Sequence, residues 1–100
     1  MPILSVTVPH KLPQDEALKR IKKAIADAKK QNSQQVENFT ENWDGYIGNF
    51  SGKAMKHSVS GTLAVKPDEV IVGANLPFIA TPFKGKIESM VQQMLERLLA

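Results

Sequence analysis

Histidine is the side chain that enzymes use most often as a general base, and the chain contains two, His10 and His57. His10 follows a proline, and His57 begins a run of alternating residues. Neither is spaced from a serine or a carboxylate in a pattern typical of a catalytic site, and two isolated histidines do not make a metal site. We therefore expect both to be surface or turn residues, and we expect no enzymatic activity, metal or cofactor.

The acidic residues and the glycines give no stronger indication of chemistry. Asp15 and Glu16 are typical of a helix start, whereas Asp44 and Asp68 are typical of turns. The glycine-containing run 48–52 lies in a β context without a following helix, so it lacks the geometry of a phosphate-binding loop. Such glycines are more typical of bulges, or of places where helices cross a sheet. No catalytic residue is predicted.

A basic cluster near the N-terminus is one candidate binding surface, for phosphate, nucleic acid or an anionic surface. Its members are Lys19, Arg20, Lys22, Lys23, Lys29 and Lys30. Lysines also solvate the outer side of an ordinary amphipathic helix, and no aromatic residue that could stack on bases is interleaved with them. The sequence therefore favours solvation over nucleic-acid binding.

Apolar residues near the C-terminus form a second candidate surface. The band that contains Met90, Met94, Leu95, Leu98 and Leu99 is mostly expected to be core, with part of it free for a partner, since methionine adapts to varied apolar contacts. Aromatic and aliphatic residues elsewhere could extend it. The candidate partner surface comprises Trp43, Tyr46, Phe78, Ile79, Phe83, Met94 and Leu99.

Composition sets the class of protein that must position these residues. A chain of 100 residues with 42% hydrophobic and 23% charged residues is typical of one globular domain, which we place at 1–100. It contains no cysteine, so disulfides and thiolate metal sites are excluded. We find no secretion signal and no apolar run that could span a bilayer, and we expect a cytoplasmic protein. The net charge of +3 permits an acidic partner without requiring one.

The hydrophobic periodicity predicts an α+β fold in the order β-α-β-β-β-β-α. Residues 3–8 alternate as a strand does, and residues 14–31 show helical spacing. After a polar loop at 31–35, four strands are predicted at about 37–43, 46–55, 57–66 and 69–76, followed by a connector between Pro77 and Pro82. Gly85 is read as a break before a second helix at about 86–100. Short connections predict an antiparallel sheet of about five strands, with both helices on one face and the other face wet.

Three stretches of the sequence resemble the polyhydroxyalkanoic acid system protein family of bacteria. They are VPHKLPQDEA at 8–17, VSGTLAV at 59–65 with DEV at 68–70, and KGKIE at 84–88. The members of that family are short and are encoded beside genes for polyester granules. The resemblance implies a link to storage granules or their proteins, and it brings no assigned activity and no catalytic residues.

Three functional hypotheses follow. The first is a non-enzymatic accessory or binding protein at the polyester granule surface or with granule proteins. The second is a small helix-grip-like domain that binds an apolar ligand in a pocket lined by Phe50, Leu63, Met90 and Met94. The third is nucleic-acid binding through the basic first helix. An edge strand or the connector could also form a symmetric homodimer.

Overall fold

The computed structural model describes residues 3–31, 36–54, 57–75 and 78–100. Its elements are β1 (Ile3–Pro9), α1 (Gln14–Gln31), β2 (Val36–Asp44), β3 (Ile47–Ala54), β4 (His57–Val65), β5 (Glu69–Asn75), a 3-10 helix (Phe78–Phe83) and α2 (Lys84–Leu98). The predicted order of strands and α-helices is confirmed. Of the predicted polar loop at 31–35, Gln31 ends α1 and residues 32–35 lie outside the described residues, as do residues 55 and 56 at the junction of two predicted strands.

The strands form one antiparallel sheet in the order β1-β5-β4-β3-β2. Strands β2 to β5 follow one another as the predicted meander, and β1 pairs with β5 at the far edge. Residues directly opposite each other in such a sheet share a face. Val6 lies opposite Val72, and Val72 lies opposite Leu63 on its other side, so these side chains belong to one face.

Both helices pack on that face, as predicted, and together they bury the core. Helix α2 lies along β1, and α1 contacts β4. The core comprises Leu4, Val6, Val8, Ala17, Ile21, Leu63, Val65, Val70, Leu95 and Leu99. Burying one such aliphatic side chain stabilises the fold by about 1.5–3 kcal/mol. The opposite face carries the alternate residues of each strand, and neither of the two described α-helices lies over it.

The two edges of the sheet are each modified. At the β1 edge, the backbone N–H of Ser5 donates a hydrogen bond to the Glu88 carboxylate of α2 at 3.2 Å. At the β2 edge, the register with β3 shifts between Glu37 and Thr40, and Asn38 has a φ of 54°. A bulge of this kind twists an edge strand and disfavours pairing with another chain.

The segment before the last helix differs from the prediction. The connector is a 3-10 helix that runs directly into α2, and Gly85 lies in the first turn of α2 instead of breaking the chain. The first N–H groups of a helix have no partner within it, so a residue with weak helix propensity costs little there. Within the described part of the chain, neither helix has the length and apolar character needed to cross a bilayer.

Candidate functional site

His10 was predicted to be a surface or turn residue; it lies in the connection between β1 and α1, where it is buried. Its Nε2 donates to the Lys66 carbonyl at 2.9 Å, and its Nδ1 accepts from the Leu12 N–H at 3.1 Å. A neutral imidazole has one donor and one acceptor, and both are used here. His10 is therefore not available as a general base, while His57 lies exposed at the start of β4.

Other polar side chains around His10 also bond within the fold. Gln14 Nε2 donates to the Val65 carbonyl at 2.8 Å, and the Tyr46 hydroxyl donates to Asp15 Oδ1 at 2.5 Å. The hydrogen bond to the Asp15 carboxylate raises the pKa of Tyr46, with smaller contributions from desolvation and from the carboxylate charge. We call His10, Gln14, Asp15 and Tyr46 the polar end of the sheet.

The described residues contain no cluster that could hold a metal ion and no buried side-chain polar atom without a hydrogen-bond partner. The polar end therefore resembles a satisfied structural network more than a reactive site. Its groups hold β1, α1 and the turns between strands together.

The basic cluster on α1 does not form one surface. Arg20 pairs with Glu16 at 3.2 Å and donates to the carbonyls of Leu98 and Ala100 at 3.1 and 2.9 Å, so it joins α1 to the end of α2. Lys22 lies over the ring of Trp43, 5.2 Å from its centroid.

Lys29 lies in the same way over Phe39, at 5.1 Å. Of the predicted anion-binding set, Lys19, Lys23 and Lys30 are exposed on the outer side of the helix. Helical geometry interleaves these three with Glu16 and Asp27, which weakens their combined field.

The aromatic residues predicted to meet a partner are partly used inside the molecule. Trp43 is half-buried, packs edge-on against Phe50 at 5.7 Å, and donates from Nε1 to Glu41 at 2.6 Å. Tyr46 is half-buried and bonded to Asp15. Leu99 is only 5% exposed, which corrects its placement on a partner surface. It follows Leu95 by one helical turn, so both side chains reach the same core.

An exposed apolar stripe does exist along α2 and at its N-cap residue, Phe83. Phe83, Met90 and Met94 are 57%, 60% and 58% exposed, and we call these three the methionine stripe. At 100° per residue they lie beside the buried row that contains Leu95, so the apolar face of the helix is wider than the sheet can cover. The side chains of Phe78 and Ile79, also predicted for this surface, lie outside the described residues.

The pocket expected for a helix-grip domain is not assembled from its four predicted residues. Leu63 is in the core, and Met90 and Met94 are exposed to solvent. Phe50 packs with Trp43 at the other end of the sheet. These side chains therefore do not line one enclosed cavity between sheet and helix.

The uncovered face of the sheet holds a groove that sequence reasoning missed. It has a volume of about 400 Å³ and is lined by Asn49, Phe50, Ser60, Gly61, Thr62, Gly73, Ala74 and Asn75. Side chains alternate between faces, so Asn49, Ser60, Thr62 and Asn75 surround it together with the position of Gly73, which has no side chain. We call it the open-face groove. The run of serine, threonine and asparagine at alternate strand positions was the available signal.

Comparison with protein families shows the family to which the chain belongs. The family model described as Putative polyhydroxyalkanoic acid system protein matches residues 4–99, and the chain belongs to this family. No curated protein and no solved structure matches the chain in the same comparisons. The family description connects the protein with polyhydroxyalkanoate, a storage polyester, and names no reaction.

Proposed function

We propose that this protein is a non-enzymatic accessory protein that attaches to polyhydroxyalkanoate granules in the cytoplasm through the methionine stripe. The observation that carries the proposal is the exposure of Met90 and Met94 on α2 and of Phe83 at its N-cap. Membership of the polyhydroxyalkanoic acid system family suggests a polyester granule as the surface that such a stripe would contact.

The chemistry of the stripe suits an aliphatic polyester. A polyester chain has no hydrogen-bond donor, so a protein gains most by burying apolar area against it, at about 25 cal/mol per Å². Methionine is unbranched and polarizable, and it adapts to a surface without a fixed shape. Helical spacing places Lys86 and Arg97 along the outer border of the stripe, where their charges can stay in water.

The absence of enzymatic activity is part of the proposal. His10 is the buried histidine of the described chain, and both of its ring nitrogens already have backbone partners. General base catalysis needs a side chain that can reach a substrate proton. His10 is not free to do so, which supports a binding role over a catalytic one.

The proposal is tested by sedimenting purified protein with purified granules and measuring the bound fraction. The double variant Met90→Gln, Met94→Gln keeps side-chain length and helix propensity while making the stripe polar. We expect at least a fivefold loss of the bound fraction, while the wild type pellets with granules.

A matched control changes the same helix away from the stripe. Gln93→Ala removes a polar, exposed side chain of α2 and should pellet like the wild type. If the wild type stays in the supernatant, or if the double variant pellets as well as the wild type, the proposal is wrong.

A further inference from the structure

Gly73 is a glycine that the fold itself does not require. It lies inside β5, which pairs with β1 on one side and with β4 on the other. Glycine weakens a strand interior because it adds backbone entropy and no packing. A Cβ built at this position would meet Thr62 Oγ1 at 3.6 Å and the Leu4 carbonyl at 3.9 Å, which are ordinary contacts.

Other glycines of the sheet have a structural reason. A Cβ at Gly48 would lie 3.0 Å from the rings of Phe50 and Trp43, and a Cβ at Gly61 would lie 2.9 Å from the Gly73 carbonyl. Gly73 has neither such a contact nor a positive φ. A strand glycine without a packing reason often marks a place where something approaches the backbone closely.

The groove above Gly73 is lined by uncharged hydrogen-bonding groups. Asn75 Nδ2 donates to Ser60 Oγ at 3.2 Å, which leaves the hydroxyl proton of Ser60 and the second amide proton of Asn75 to donate elsewhere. Within the described part of the chain, no hydrogen bond occupies the side chains of Asn49 and Thr62. The groove therefore presents several free donors and no charge.

An apolar row runs beside these donors on the same face. Ile47 lies opposite Ala64, and Ala64 lies opposite Ile71. Ile47 is 50% exposed, and the other two are partly exposed. A ligand that fits both strips has hydrogen-bond acceptors along one side and alkyl groups along the other.

We propose that the open-face groove binds a short, uncharged oligoester of hydroxyalkanoate units across Gly73. Ester carbonyls would accept hydrogen bonds from Asn49, Thr62 and Asn75, and the alkyl groups would lie on the row of Ile47 and Ile71. An ionic ligand has no countercharge in the groove. A carbohydrate would have no aromatic platform, since Trp43 and Phe50 pack together on the opposite face.

The choice of an ester among uncharged acceptors rests on the proposed function, whereas the site itself rests on the groove and on Gly73. The groove lies on the face opposite the helices, so it is separate from the methionine stripe. A granule could therefore be held by α2 while a free chain segment lies on the other side of the sheet.

The test is an NMR titration of isotope-labelled protein with a soluble hydroxybutyrate oligoester capped as its methyl ester. We expect saturable shifts of the backbone amides around Gly73 and of the side-chain amides of Asn49 and Asn75. Gly73→Val fills the groove with a residue that favours strands, and it should weaken binding at least tenfold.

Gly73→Ala serves as a second blocking variant if the valine variant does not give a folded spectrum, because its Cβ makes only ordinary contacts. The matched control is Gly85→Ala on α2, where a Cβ meets nothing within 4 Å. The control should bind the oligoester as the wild type does.

Three results would overturn the inference. The first is the absence of any shift with the oligoester. The second is binding by both Gly73 variants as strong as that of the wild type. The third is a shift of the same amides with maltose or with protein concentration alone. The outcomes separate the two proposals. If the protein sediments with granules but does not bind the oligoester, only the groove proposal is wrong. If it binds the oligoester but does not sediment with granules, only the granule-attachment proposal is wrong.

Discussion

The polar end of the sheet and the methionine stripe differ in how their side chains are used. At the polar end, His10, Gln14 and Tyr46 each donate to a partner within the chain at 2.5–2.9 Å. On the stripe, Met90 and Met94 keep more than half of their surface in water. The polar side chains at this end therefore bond within the fold, whereas the stripe exposes apolar surface.

This contrast is the structural basis of the proposal that the protein binds through apolar surface. A buried polar network stabilises a structure when all its members are satisfied. An exposed apolar patch lowers solubility and is expected to have a partner. Together with membership of the polyhydroxyalkanoic acid system family, this difference supports the proposal of granule attachment.

The largest expected effect is on the free energy of unfolding, in a comparison of two neighbouring residues on α2. Leu95→Ala should lower the free energy of unfolding by about 2–5 kcal/mol because the side chain is buried in the core. Met94→Ala should change it by less than about 0.5 kcal/mol because that side chain is exposed. Urea unfolding followed by tryptophan fluorescence measures both. Equal effects would show that the stripe is packed into the fold.

The two histidines offer the next comparison. His10→Ala should lower the free energy of unfolding by about 1–3 kcal/mol, because the Lys66 carbonyl and the Leu12 N–H lose their partner. His57→Ala should stay within about 0.5 kcal/mol of the wild type, since His57 is exposed. Urea midpoints at neutral pH measure the difference. A large effect at His57 with none at His10 would contradict the structural role of the polar end.

A smaller effect on stability should distinguish Arg20 from the exposed lysines of α1. Arg20→Ala should cost about 1 kcal/mol, because Arg20 bonds to carbonyls at the end of α2 and to Glu16. Lys23→Ala is the matched control on the solvent side and should cost less than about 0.5 kcal/mol. Thermal unfolding followed by circular dichroism measures both. A greater loss for the lysine variant would contradict the assignment of Arg20 as the residue that joins α1 to the end of α2.

The smallest effect concerns the pKa of Tyr46, which should lie above its ordinary value of 10.0 because Asp15 accepts its hydrogen bond. The neutral phenol is favoured in the folded chain. The Tyr46–Asp15 hydrogen bond therefore adds its full contribution to the free energy of unfolding below pH 10.0, and this contribution is lost as pH rises through the raised pKa. Asp15→Asn should lower the pKa towards 10.0, and Asp27→Asn should leave it unchanged. Phenolate absorbance reports it directly, since the chain has a single tyrosine. If Asp15→Asn left the pKa of Tyr46 unchanged, the hydrogen bond between Tyr46 and Asp15 would be contradicted.

Local patterns predicted much of the fold. Helix α1 runs from Gln14 to Gln31 as its acidic start and basic end indicated, and the alternation in β4 gave its buried face. The pairing of β1 with β5 was not predicted, because register across a sheet depends on tertiary contacts.

The candidate surfaces depended on the same tertiary information. Met90 follows the helical period of the core and is still exposed, because the sheet covers only part of the α2 apolar face. The open-face groove exists because Thr62 lies opposite Gly73, a pairing that sequence spacing does not reveal. The buried role of His10 depends on the distant Lys66 carbonyl.

The most direct test of granule attachment is oxidation of Met90 and Met94 by dilute peroxide, measured by peptide mass spectrometry with and without bound granules. Exposed methionines oxidise readily to the sulfoxide, and a side chain covered by polymer is shielded. The account predicts fast oxidation of both residues in free protein and strong protection in the granule-bound fraction. Equal oxidation of both residues in free and granule-bound protein would contradict it.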